Sequence, residues 1–574
     1  MSRGFSLVGR AATASCVLVS AVALSACAGL GVAAYPGGGA SASDLTVSTA
    51  YGSVTGVDRG AMRSFFAIPY AAPPVGDLRW RPPVPPTPWS VARAETVSGA
   101  SCLQTGGSPF RAGGDSEDCL YLDVHAPEGK GPFPVMVWIH GGAFQTGGAS
   151  GYADPSDLTA RGVIVVAINY RLGAAGFLAH PALRDADGDV GNYGMMDQQA
   201  ALAWVRSNIA SFGGDPSNVT IFGESAGGFS VLTHLASPRS KGLFDKAIIQ
   251  SGAYGVNDQL TKAQNEARGE AALGKAQMTA ALADACPSGV TAECLRALPE
   301  PVVRGPLMAA YASAVANPIP SVDGKVLPRS IKEIFASGDD NRVPVINGSN
   351  EDENLLFMAI TELGRRTAAN PPKLDPQDRS FLMSAGVYVM GARAMSGQMG
   401  VPAADLTDTH YPLSRFGADE ALRPTLAMAA AGTDSTFSCN GLNVSRRIAS
   451  RGAPVYMYEF RDQTALPIVG TIEGRYVVSF PQGAAHAAEL PYLFNMADLG
   501  NAERAKLKQA MVGYWTSFAR TGNPNARGLP EWKPFASGAL QALDVESAGG
   551  VGSMAVSEFS ANHLCDTAWS RLGF

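Results

Sequence analysis

The chain has 574 residues, 46% of them hydrophobic, and carries 44 basic against 50 acidic side chains, a formal charge of −6. That is long enough to bury a large core and too acidic to make nucleic acid a partner. Length alone would suggest three or four domains at about 150 residues each, yet neither a linker nor a repeat interrupts the sequence after residue 46.

The N-terminus reads as an export signal. Arg3 and Arg10 flank a short basic start, Ala11 to Ala26 are apolar or small, and the first acidic residue is Asp44. The stretch is too short to span a bilayer. Leu24-Ser25-Ala26-Cys27 resembles a bacterial lipoprotein signal, which makes residues 1–26 a signal peptide and Cys27 the lipidated first residue of the mature chain. Residues 27–45, rich in Gly, Ala and Ser, then form a flexible tether. Cleavage after Ala28 would instead release a soluble secreted protein. Removing Arg3 and Arg10 from the 44 basic residues leaves 42 against 50 acidic ones, a charge of −8.

Further along, the apolar run from Pro134 to Ile139 predicts a strand that ends in Trp138-Ile139-His140-Gly141-Gly142-Ala143-Phe144. Such a glycine cluster looks like an oxyanion hole, because unhindered backbone N–H groups reach a developing oxyanion only where side chains do not intervene. Val163 to Val166 and Val455 to Phe460 read as further strands, and Asp197 to Ile209 as a helix. Their alternation predicts a mostly parallel sheet under helices.

Val219-Thr220-Ile221-Phe222 leads directly into Gly223-Glu224-Ser225-Ala226-Gly227, the form of a nucleophile elbow. Glycines two residues either side of a serine remove the clashes that a sharp strand-to-helix turn creates. Ser225 is the expected nucleophile, with Gly141, Gly142 and Ala226 as backbone donors to the oxyanion. Glu224 is expected to be a buried partner of the site.

A base must come from the seven histidines. His125, His140 and His180 precede the nucleophile, whereas folds with this elbow order serine, acid, histidine. His234 stands nine residues along the elbow helix, roughly 13 Å from Ser225 at about 1.5 Å per residue. His410, His486 and His563 remain, and His486 sits in the small-residue stretch Gly483-Ala484-Ala485-His486-Ala487-Ala488-Glu489-Leu490. The acid should lie between the serine and the histidine. There, Asn347 to Asn354 follows the apolar run Val343 to Ile346 and offers Glu351, Asp352 and Glu353, among which the residues themselves do not choose. No clustered His/Cys spacing, phosphate loop or dinucleotide fingerprint is present, so neither a metal nor a cofactor is implied.

Together these segments resemble the carboxylesterase type B family, which also holds the cholinesterases. The resemblance is carried by Phe66 to Ala71, Pro73 to Trp80, Ser116 to Leu122, Ile168 to Gly173, Gly191 to Gln198 and Asn208 to Pro216, which runs on into the elbow. It implies an α/β-hydrolase fold over residues 46–574: a mostly parallel central sheet, helices on both faces, and insertions at about 255–345 and 355–450 that shape a substrate gorge. The family's G-x-N-x-x-E acid falls on Glu353 and its H-x-x-E-L/I histidine on His486; Asn354 departs from the usual glycine. Arg79 with Glu117 and Arg171 with Asp197 are implied ion pairs. Six cysteines remain besides Cys16 and Cys27, enough for fifteen pairings. The resemblance implies Cys102 with Cys119, Cys286 with Cys294, and Cys439 with Cys565.

The implied activity is ester hydrolysis through an acyl-serine, with His486 taking the Ser225 proton and Glu353 holding the imidazole. The segment from Cys102 to Cys119 lacks the tryptophan that binds choline in cholinesterases, which argues against a charged alcohol. Short to medium acyl esters of uncharged alcohols are expected. Triacylglycerol or a cell-envelope lipid is the alternative, and a non-catalytic adhesion role a remote third. Membrane contact is expected through the lipid anchor only, and no protein partner is implied. The Asn-x-Ser/Thr triplets at Asn218, Asn347 and Asn443 read as accidental in a bacterial chain.

Overall fold

A computed structural model describes residues 45–572, apart from 107–109 and 315–317. The expected signal, Cys27 and nearly all of the tether lie outside the described residues.

Eleven strands form one sheet: β1 (Val57–Asp58), β2 (Met62–Pro69), β3 (Tyr121–Pro127), β4 (Phe133–Ile139), β5 (Ile164–Ile168), β6 (Gly214–Glu224), β7 (Lys246–Gln250), β8 (Val345–Asn350), β9 (Val455–Phe460), β10 (Ala539–Leu543) and β11 (Gly552–Ala555). Their order across the sheet is β11-β10-β9-β8-β7-β6-β4-β5-β3-β2-β1. The run from β10 to β5 is parallel throughout, and antiparallel pairs close both edges.

The central strands are apolar on both faces because helices cover both. In β4, Val135, Val137 and Ile139 pack on the side that holds helices α1 (Tyr193–Asn208) and α2 (Ala226–Ala236). Met136 and Trp138 point the other way, against residues of the long C-terminal helix Ala502–Thr521 such as Met511 and Trp515. The period of two in the strand thus divides a two-layer core.

Strand positions agree with the sequence pattern at their apolar centres and differ at polar ends. The β8 strand runs to Asn350, beyond the apolar stretch, because Asn347, Ser349 and Asn350 are buried and the side chains of Asn347 and Asn350 are hydrogen-bonded where the strand enters the site. Helix α1 begins at Tyr193, ahead of the expected Asp197, and that aspartate is fully buried against Arg171.

Both expected insertions are helical. The one between β7 and β8 includes Lys262–Leu273 and Ile331–Ser337; the one between β8 and β9 includes α3 (Leu355–Ala368), α4 (Arg423–Thr433) and α5 (Cys439–Ala449). All three implied disulfides are present, and Cys439–Cys565 ties the start of α5 to the C-terminal segment across 126 positions.

Closing so long a loop restricts the unfolded chain more than either shorter bridge does. Replacing Cys439 and Cys565 together by Ala should destabilise the protein by about 4 kcal/mol, read as a lowered midpoint in chemical denaturation. Loss of Cys286–Cys294, with 8 positions between its ends, should cost less.

Candidate active site

Strand β6 turns into helix α2 at Ser225, whose backbone stands at φ +56°, ψ −120°. That is a strained conformation for a residue with a side chain, costing about 1–3 kcal/mol. The surrounding backbone leaves no choice. A Cβ on Gly227 would fall 1.8 Å from the Ile139 carbonyl oxygen, and one on Gly223 2.6 Å from the same atom. Ser225 N–H donates to the Gln250 carbonyl at 2.9 Å, which ties the turn to the end of β7. Its side chain remains partly exposed while its neighbours Glu224 and Ala226 are buried.

The glycine cluster after β4 lies against this turn. A Cβ on Gly141 would meet Glu224 Oε2 at 2.7 Å and Ser225 Cβ at 3.1 Å. Gly142 has φ +105°, and Ala143 and Phe144 follow at +55° and +56°, so the loop is held in left-handed backbone over three residues. None of the N–H groups of Gly141, Gly142 and Ala226 donates a hydrogen bond among the described residues, which leaves them free to receive an oxyanion.

Of the three candidate carboxylates only Glu353 meets a histidine. His486 Nδ1 and Glu353 Oε2 are 2.5 Å apart, and Glu353 Oε1 accepts the Asn350 N–H at 2.8 Å. Glu351 pairs with Arg461, and Asp352 accepts hydrogen bonds from Gln463 and the Ala484 N–H. Asn354 fits in place of the family's glycine because its N–H donates to Thr433 Oγ1 and its side chain lies against Gly432, where no Cβ intrudes.

Glu224 is closer to the imidazole than the sequence suggested. Its Oε1 is 3.0 Å from His486 Nε2, within ion-pair range but off the axis of a hydrogen bond. Among the described residues no hydrogen bond joins His486 to Ser225 Oγ. Such contacts commonly close only when substrate is bound. Burial alone would lower the His486 pKa, but the carboxylates of Glu224 and Glu353 outweigh it and hold the pKa well above the ordinary histidine value. Burial also raises the carboxyl of Glu224.

Of the other candidate bases, His410 ends the turn Asp405–His410 and meets none of the site residues. His563 is buried between Asp434 and Glu459. Among the early histidines, His125 and His140 are buried, and burial pushes them down to about 3 and about 4 respectively. His234 is likewise pushed down to about 3.

Sequence reasoning missed the aromatic wall. Phe357 and Phe437 lie 5.2 and 4.9 Å from the His486 ring, and Tyr254 and Phe229 continue the wall from Phe437. Phe357 and Phe437 stand singly in the insertion between β8 and β9, Tyr254 in the turn after β7 and Phe229 on α2, so no local pattern would have marked them. Gln250 and Glu489 were missed as well. The Gln250 carbonyl holds Ser225, and its side-chain amide donates to Glu489 Oε1 at 3.0 Å, while Glu489 Oε2 accepts from Asn350.

Both implied ion pairs are formed. Arg171 binds Asp197 through two bonds of 2.7 Å with both side chains buried, and Arg79 binds Glu117 through two of 2.6 Å.

The carboxylesterase family profile matches residues 43–561. The chain belongs to the carboxylesterase family. It is 35% identical over 521 residues to the fumonisin B1 esterase of Sphingopyxis macrogoltabida, covering 86% of this chain and 84% of that one. With the para-nitrobenzyl esterase of Bacillus subtilis (strain 168) it shares 33% identity over 87% of this chain and 94% of that one. A solved PNB esterase structure superposes with a TM-score of 0.70 at 31% identity, covering 91% of this chain and 99% of the other. This carboxylesterase is a serine carboxylic ester hydrolase with the α/β-hydrolase fold.

A histidine that must be neutral to accept a proton sets the acid limb of activity at its own pKa. Because Glu224 stabilises the charged ring, Glu224→Gln should move the acid limb of kcat/KM to lower pH, as pH-rate profiles of the two proteins would read. An unmoved limb would show that the carboxylate does not act on His486.

Proposed function

We propose that Ser225 attacks the ester carbonyl while His486 Nε2 takes its proton, and that Glu353 orients the imidazole and stabilises its charge. The N–H groups of Gly141, Gly142 and Ala226 receive the oxyanion. Collapse of the tetrahedral intermediate expels the alcohol, which His486 protonates, and leaves an acyl-serine. Water then attacks that ester with His486 again as base. The observation that carries this reading is the 2.5 Å contact of His486 with Glu353 beside the strained, partly exposed Ser225.

The preferred substrates are short to medium acyl esters of uncharged alcohols. Support comes from the apolar wall of Phe357, Phe437, Tyr254 and Phe229 around the imidazole, and from the missing tryptophan between Cys102 and Cys119. In a series of p-nitrophenyl esters of increasing acyl length, turnover should peak at short to medium chains. Ser225→Ala should lower kcat by on the order of a thousandfold or more. A parent that is folded yet inactive on every ester would overturn the assignment.

The site works outside the cytoplasm, held to the bacterial envelope by lipid on Cys27. The pattern of residues 1–27 supports this, as does an even set of six cysteines joined in three bridges. Among the described residues no helix is long and apolar enough to cross a membrane. Expressed in a bacterial host, the full chain should fractionate with membranes, and Cys27→Ala should move it to the soluble fraction.

A further inference from the structure

His563, a candidate base that the hydrolytic site does not use, sits in a second buried histidine–carboxylate cluster. It is 4% exposed. Its Nδ1 lies 2.5 Å from Asp434 Oδ1 and its Nε2 2.5 Å from Glu459 Oε1. With both carboxyls ionised each only accepts hydrogen bonds, and a ring bonded to one at each nitrogen then carries both protons and is an imidazolium; burial raises the Asp434 carboxyl, and His563 opposes that rise.

Each partner leads to the catalytic side. Asp434 opens the π-helical turn Asp434–Ser438, which carries Phe437, the ring 4.9 Å from His486. The residue before it, Thr433, accepts the N–H of Asn354, next to Glu353. Glu459 pairs in register with Ser349 on β8, the strand that leads into the Glu351–Glu353 loop.

The other charged and titratable groups around the cluster are few. Tyr411 donates to Asp434 Oδ2 at 2.6 Å and accepts from Trp569 Nε1 at 2.6 Å. Arg461 Nε stands 3.4 Å from Glu459 Oε2 and its guanidinium also holds Glu351. Arg415 acts on Asp434 from farther off, and His563 itself acts on Asp352.

We infer that His563 is a positioning residue for ester hydrolysis: as a buried cation it clasps the Asp434 turn to strand β9 and so holds Phe437 and the Glu353 loop against His486. The inference rests on the ester-hydrolase mechanism proposed above. Cys439–Cys565 places the histidine there, since the bridge joins the residue just after the turn to one two positions beyond His563. Without the cation, Asp434 and Glu459 would be two buried carboxylates repelling each other behind the acid loop, and their field would also reach His486.

Burial by itself works against the charged ring, but Asp434 and Glu459 keep its pKa well above the ordinary histidine value. Its contribution to stability is therefore complete below the unfolded histidine pKa of about 6.5 and is lost as the pH rises through the elevated folded value.

The test is the pH-rate profile of four proteins on one p-nitrophenyl ester: the parent, His563→Gln, Asp434→Asn, and the two changes combined. For His563→Gln, kcat should fall about tenfold with KM within about twofold, as expected for a misplaced base and acid. Its acid limb should rise by on the order of half a pH unit, since uncompensated negative charge favours imidazolium at His486. Asp434→Asn removes one negative charge and should move the limb down, and the combined variant, which restores the net charge, should return it to the parental position. A folded His563→Gln protein that only melts lower, with parental kcat and acid limb, overturns the inference. Should that variant not fold, Asp434→Asn decides, and a parental limb there overturns it equally. An inactive parent would overturn the ester mechanism itself; an active parent with an unaffected His563→Gln protein overturns this inference alone.

Discussion

Ser225 holds a backbone conformation, φ +56° and ψ −120°, that a residue with a side chain adopts only under compulsion. The compulsion comes from the sheet. β4 and β6 are adjacent parallel strands, paired from Val135 with Val219 to Ile139 with Gly223, so the Ile139 carbonyl lies against the glycines of the elbow. Any side chain at Gly227 would drive the helix off the strand. The same closeness brings Gly141 against Ser225, so the turn that carries the proposed nucleophile and the loop of unspent N–H groups are products of one strand pairing. The apolar two-sided packing of β4 and β6 stabilises the strained turn by making every relaxed alternative cost core contacts.

A second constraint is electrostatic. Glu353 and Glu489 are buried and hydrogen-bonded around Asn350 and His486, and Glu224 is buried within ion-pair range of the same imidazole. Burial, with Glu224 and Glu353 adding to it, pushes Glu489 up to about 7. Fixed negative charge beside a base raises its basicity, which helps it to hold the proton taken from serine but also demands a higher pH before it is free to take one. In the proposed mechanism the site thus balances stabilisation of the imidazolium that forms in the reaction against the population of neutral histidine at rest. Behind the acid loop, Asp434 and Glu459 face the same problem and meet it with His563 as their counter-charge.

Much of the fold was legible in sequence because it depends on local rules. Continuous apolar runs at β4, β5 and β9 announced strands buried on both faces, and the glycine spacing at 223 and 227 announced a sharp turn, whose sterics the neighbouring strand then sets through the Ile139 carbonyl. Polar strand ends were not legible. Asn350 looks like loop by composition, yet it is fully buried because Ala485 and Glu489 accept its amide protons. Phe437 and Phe357 were silent for a related reason: each becomes part of the site only because a long helical insertion folds back over His486.

By itself the sequence marked the candidate attacking group and its candidate oxyanion donors, since the glycine pattern that permits such turns is local, and through the resemblance carried by its motifs it implied the class of fold. It also limited the base to three histidines and the acid to three adjacent carboxylates, between which resemblance, not residue chemistry, made the choice. Only the tertiary structure could bring Glu353 and His486, 133 positions apart, to 2.5 Å while directing Glu351 to Arg461 and His563 to Asp434. The physical reason is range: the residues that permit a sharp turn lie within a few positions of it, whereas the packing that compels the turn, and the partner and charge of a buried titratable group, are decided by whichever strands and helices the whole chain folds around them.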